Sequence, residues 1–268
     1  MADQKQVLSD NSDLIELGRK LLSEGPIKTL ATPRRIRILF NNVYVADTTA
    51  ALFVWEHQYY PYYYVPRDAF AQGVLKPQQP LPGSKDSKFW TAELSVGDAS
   101  TNRVLGFEDG EGVLAGLVRV QFDAAQAWFE EDTPVYVHPK DPFRRVDVLH
   151  SARPLRVRVR GQLVAETTSS FHLYETGLPC RYYVPATAVD RGVLRDSGTT
   201  TACPYKGTAN YYHAAIGDDL LSDLVWYYRT PTLECAAIAG CLCFYHEKEG
   251  VEVELDGKVL PLPKTPWS

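Results

Sequence analysis

"LYETGLPCRYYVP" at 173–185 and "FVWEHQYYPYYYVP" at 53–66 follow one plan. Each runs from an apolar, aromatic stretch through a glutamate and an irregular turn into Tyr-Tyr-Val-Pro. The likeness extends outward on both sides. Residues 36–75 lie on 155–194 at a constant shift of 119, without a gap and with fourteen identities in forty. The pairs include Val45/Val164, Thr48/Thr167, Glu56/Glu175, Tyr63/Tyr182, Tyr64/Tyr183, Pro66/Pro185 and Gly73/Gly192. Gapless identity at this level marks a tandem duplication.

Both copies open alike. "IRILFNNVYVADTTAALFVWE" and "LRVRVRGQLVAETTSSFHLYE" read as two strands about an Asn-Asn or Arg-Gly turn and then a third, because β-branched and aromatic residues alternate with polar ones. "GTANYYHAAIG", "DLVWYYRT", "CLCFYHE" and "VEVELDGKVL" keep the period of two. Helical spacing is confined to 12–23, with a short helix also expected at 123–130. The expected fold is mainly β: a duplicated small antiparallel β-sheet or barrel-like domain behind a short N-terminal helix. The expected divisions are a helical extension over 1–33, a first domain over 34–136 and a second over 137–268. Residues 76–88, rich in Pro, Gly and Lys, read as a surface loop.

A net charge of −5 supplies no basic field, so no nucleic-acid partner is expected. No apolar run approaches the roughly 18 residues of a membrane helix, and "MADQKQVLSDNSD" lacks the basic and then apolar regions of a secretory leader. No membrane partner and a cytoplasmic location are therefore expected. The five cysteines, Cys180, Cys203, Cys235, Cys241 and Cys243, are odd in number and contain no C-x-x-C pair. They read as small buried thiols, with neither a disulfide framework nor a metal site expected.

The copies diverge in their polar residues. Arg181 and Gly177 stand where the first copy has Tyr62 and Gln58, and only the second copy has Cys-Pro-Tyr-Lys-Gly at 203–207. A carboxylate, a guanidinium and an ammonium at loop edges of one small sheet are costly to bury unless they pair or meet a ligand. Glu175 is the candidate to move a proton, with Lys206 or Arg181 stabilising developing negative charge. Glu234 is a candidate second carboxylate. Tyr182, Tyr183, Tyr205 and Trp226 are candidates for the wall of a substrate site, and Gly207 would let a ligand approach the backbone. Cys203 is a candidate contact or nucleophile beside Lys206. His138 and Arg144, in the charged stretch 137–154, are candidates to border the site. Each has a plainer reading: Glu175 as a salt-bridged strand end like Glu56, Lys206 as a turn cover, the tyrosines as core.

The combination of "LYETGLPCRYYVP", "TTTACPYKGTANYY", "WYYRTPTLECAAIAGCLCFY" and "VEVELDG" resembles the DUF427 family over about 137–257. Residues 34–136 resemble a degenerate first member of a tandem pair. The resemblance implies a compact, mostly β domain whose marked positions here are Glu175, Thr176, Gly177, Arg181, Tyr182, Cys203, Pro204, Tyr205, Lys206, Gly207, Trp226 and Glu234. The family carries a nucleotidyltransferase label, yet the chain has no glycine-rich phosphate loop and no paired aspartates for magnesium. The expected function is a cofactor-independent acid–base enzyme, an isomerase, cyclase, lyase or hydrolase. Its small-molecule substrate would be hydrophobic with a carbonyl or anionic group, drawn from specialised metabolism. The competing expectation is a non-catalytic binding or interaction module.

Overall fold

The computed structural model describes residues 11–77 and 88–265. The loop expected at 76–88 lies, apart from its ends, outside them, as does most of the acidic N-terminal stretch. The chain divides into two compact units, 1–141 and 142–268.

In the first unit a seven-stranded antiparallel sheet runs in the order Lys28–Ala31, Leu52–Trp55, Tyr62–Pro66, Leu117–Val120, Ala99–Phe107, Phe89–Val96, Leu75–Pro77. A four-stranded sheet of Thr133–Val135, Ala127–Glu130, Ile36–Phe40 and Val43–Thr48 accompanies it. Ile36, Ile38, Val45 and Trp128 from the small sheet share one core with Phe53, Tyr63, Val65 and Val118 from the large one. The opposite face of the large sheet presents Val54, Tyr64, Leu105 and Phe107, which pack with Leu21 of the helix Ser12–Ser23. That helix lies so close that a Cβ on Gly18 would come within 2.6 Å of the Phe89 ring.

The second unit repeats this plan. Its seven strands run Val146–Ser151, Ser170–Glu175, Arg181–Val184, Leu242–Phe244, Asp219–Tyr228, Gly207–Ile216, Leu194–Cys203, beside a four-stranded sheet of Gln162–Thr167, Leu155–Val159, Val251–Leu255 and Lys258–Val259. Pairing registers reproduce the 119-residue shift: Leu52 faces Tyr64 and Phe171 faces Tyr183. Even the bulge recurs, after Ile38 and after Val157.

The expected duplicated, mainly β fold is present; of the two forms expected it is the sheet, each unit being two stacked antiparallel sheets with no closed barrel among the described residues. One expectation changes. The helix expected at 123–130 is instead a 3-10 turn, Phe122–Ala124, followed by the strand Ala127–Glu130. Pairing with residues 36–39 buries Trp128 in the core and outweighs the helix propensity of Ala124, Ala125 and Ala127.

Candidate functional site

Successive strand residues face opposite ways, and Tyr182 and Tyr183 divide accordingly. Tyr182 packs against the core between the sheets and meets His172 edge-on, ring centroids 4.9 Å apart. Tyr183 turns to the other face. There Tyr183, Tyr211, Trp226, Tyr228 and Tyr245 line a cavity of about 170 Å³ together with Glu175, Arg181, Lys206, Leu178 and Pro179. In the first unit the N-terminal helix packs on part of this face, against Val54, Tyr64, Leu105 and Phe107. In the second it is only partly covered, by the short helix Leu233–Ile238.

Glu175 ends its strand at 9% exposure. Its Oε2 accepts from Lys206 Nζ at 2.5 Å, and its Oε1 lies 3.6 Å from Arg144 Nη1. The turn carrying Lys206 is held from behind, since Thr232 N–H donates to Lys206 O at 3.1 Å and Thr232 Oγ1 to Tyr205 O at 2.6 Å. Burial alone would depress the Lys206 pKa. The nearby Cys203 sulfur and the Glu175 carboxylate, with its hydrogen bond, overcome this and raise it, so the side chain stays an ammonium ion.

Arg181 is bonded through Nη2 to Glu247 and sits over Trp226, 5.5 Å from its ring centre. Burial would raise the Glu247 pKa, but the bond and charge of Arg181 hold it below the ordinary carboxylate value. Arg181 Nη1 and Glu247 Oε2 are buried without partners. Trp226 Nε1 donates to Tyr183 Oη at 3.0 Å. Burial pushes the phenols of Tyr183, Tyr228 and Tyr245 well up, so they keep their protons. The site thus presents a carboxylate able to take a proton, two cations able to meet negative charge, and hydroxyl-bearing aromatic walls.

The family's sequence profile, described as a domain of unknown function, matches residues 28–105 and 147–257. The chain belongs to the DUF427 family. The two matches begin 119 residues apart, so both units are DUF427 domains. No curated protein matches the chain.

Of the candidates named from sequence, Glu175, Lys206, Arg181, Tyr183 and Trp226 meet at the cavity of the second DUF427 domain, and Arg144 stands behind Glu175. The rest lie elsewhere. Glu234 is exposed on the short helix. Tyr182 faces the sandwich core. Cys203 pairs with Gly207 across the hairpin and Tyr205 is buried beneath the turn, neither of them lining the cavity. His138 belongs to the first unit, stacked on Tyr60 with centroids 3.8 Å apart. Gly207 serves the backbone rather than a ligand: its φ is +99°, and a Cβ there would come within 3.2 Å of Thr230 O. Burial raises the pKa of Cys180, Cys235, Cys241 and Cys243, as expected of inert thiols.

Sequence reasoning missed Glu247 and Tyr245, although Cys241, Cys243 and Tyr245 alternate onto one face. It also treated the first domain as having lost its cations. Glu56 there is bonded by Arg119, Nε to Oε1 at 2.6 Å and Nη2 to Oε2 at 3.2 Å, and by Tyr64 Oη at 3.0 Å. Val65 pairs with Val118 and Val184 with Leu242, so Arg119 occupies the place of Cys243. The guanidinium has changed strands between the copies.

Proposed function

We propose that the second DUF427 domain is a small-molecule enzyme site working by proton transfer. Glu175 accepts the proton, the Lys206 ammonium stabilises negative charge developing on a substrate oxygen, and Arg181 holds a carbonyl or anionic group against the aromatic wall. The buried Glu175–Lys206 pair, joined at 2.5 Å on the lining of the cavity, carries this reading. A volume of about 170 Å³ favours a compact, largely hydrophobic group as the enclosed part of the substrate. An isomerase, cyclase, lyase or hydrolase acting in specialised metabolite biosynthesis fits these parts, and none of its steps calls on a cofactor.

A second reading, a binding module without turnover, is favoured by one observation: each cation already has a carboxylate, Lys206 on Glu175 and Arg181 on Glu247. Incubating the protein with a metabolite extract and following it by mass spectrometry separates the two. A compound consumed, or changed in retention time at constant mass, by wild type but not by Lys206→Ala supports catalysis. Glu175→Gln is then expected to lose about 10²- to 10⁴-fold in turnover while still binding the compound. Co-purification of a metabolite that wild type never transforms would favour the module.

A further inference from the structure

We infer that the cavity of the second domain takes a compact phenol or enol as its oxyanion, the oxygen held between Tyr228 Oη and Lys206 Nζ. This rests on the cavity being the functional site proposed above, and does not require turnover there. Both residues line it. The local chain brings them together: Tyr228 pairs with Ala209, three residues after Lys206, and Thr232 N–H holds Lys206 O at 3.1 Å. Tyr228 is only 4% exposed. No described residue bonds its Oη, and that oxygen is not one of the domain's sealed, partnerless atoms, which are Arg181 Nη1 and Glu247 Oε2. It therefore opens on the cavity. The neighbouring phenols are spoken for. Tyr183 Oη accepts from Trp226 Nε1 at 3.0 Å, and Tyr211 Oη meets Thr201 Oγ1 at 2.7 Å and reaches Tyr245.

Tyr228 keeps its proton and so donates; Lys206, an ammonium with three N–H groups, gives one to Glu175 and has others to give. Two donors in so small a cavity call for one acceptor oxygen. Charge decides its form. Glu175 faces two cations, Lys206 at 2.5 Å and Arg144 at 3.6 Å, while Arg181 and Glu247 balance each other. One positive charge is left over, and a monoanion neutralises it. A carboxylate would bring a second oxygen against the aromatic wall without a donor, whereas a phenolate or enolate brings one oxygen on a flat body that suits Trp226 and Tyr245. In a catalytic site the same oxygen is that of an enolate: Glu175 takes a proton from carbon, the electron pair moves onto the oxygen between Tyr228 and Lys206, and the proton returns from Glu175 to carbon.

The test titrates the full chain into 4-nitrophenol, in buffer acidic enough to keep the free phenol neutral and colourless. Capture of the anion is expected to turn the solution yellow, saturably. Nitrobenzene and benzoate should displace it at least about tenfold less well than unlabelled phenol of the same acidity. Tyr228→Phe should weaken the yellow complex about tenfold or more yet leave the urea midpoint unchanged, because its Oη bonds nothing in the protein. Lys206→Met should abolish the colour; if that variant does not fold, Tyr228→Phe decides alone. No colour up to the solubility limit, equal binding by Tyr228→Phe, or equal displacement by benzoate would each overturn the inference. The catalytic reading fails separately: anion capture with no compound transformed in the metabolite extract would sink turnover and leave the oxyanion site standing, and turnover without anion capture would do the reverse.

Discussion

Glu56 and Arg119 are 8% and 5% exposed, and at that depth the loss of one partner leaves an uncompensated charge. Arg119→Met is therefore expected to cost about 3–5 kcal/mol, read as a lower urea midpoint, and adding Glu56→Gln should recover much of it. Lys206→Met should cost less, because Arg144 remains 3.6 Å from Glu175. A second residue-scale difference lies in the core. Ser170 and His172 stand where the first copy has Ala51 and Phe53, all four buried, and Ser170 Oγ lies 3.2 Å from His172 Nε2. Burial, reinforced by Arg153, lowers the His172 pKa. The unfolded chain then binds the proton first, so stability falls as pH drops below about 6.5 toward the folded value. Burial lowers His57 and His246 in the same way, and they add to that slope. Installing the first copy's pair, Ser170→Ala with His172→Phe, should narrow the gap between urea midpoints at about pH 7.5 and about pH 5.5. An unchanged gap would refute the assignment.

At the scale of elements, the hairpin turns show how much the sequence specifies. Asn41 and Asn42 take φ of 46° and 61°, and Arg160 and Gly161 take 49° and 80°. These left-handed pairs suit the twist of a two-residue hairpin. No atom lies within 4 Å of a Cβ placed on Gly161, so Gly161→Ala should cost only the conformational penalty, about 1 kcal/mol by urea denaturation. Turns of this kind, a strict period of two and the Tyr-Tyr-Val-Pro strand made the duplication and its strand pairing legible. The strand at 127–130 was not legible, because "DAAQAWFE" contains good helix formers and its pairing partner lies some 90 residues earlier. Nor were the ion-pair partners. Arg119 in "LVRV" looks like one solvent-facing residue of an ordinary strand, but that sheet is covered on both faces. Glu247 in "HEKEG" looks like part of a solvated loop. What the sequence did mark was Arg181 and Lys206, which comparison of the two copies isolates as present on one side only, and Glu175, which both copies keep.

For the whole molecule, each unit has a core between its sheets and another on the outer face of its large sheet, built from its own residues. A fragment of residues 142–268 should therefore fold by itself, giving dispersed amide NMR signals and a cooperative urea transition; a collapsed, undispersed spectrum would contradict this. The same self-sufficiency let the two domains diverge, though not freely. The carboxylate at 56 and 175 is kept in both, neutralised from a strand by Arg119 in one and from a turn by Lys206 in the other. A lineage that dropped its cation before gaining the other would have left a buried carboxylate short of its partner, wholly so at Glu56 and in part at Glu175, where Arg144 stands 3.6 Å away, at a cost to a domain's marginal stability. The substitutions thus had an order. Ancestors holding both the strand arginine and the turn lysine form the passable route, and relatives that still carry both would be its living record.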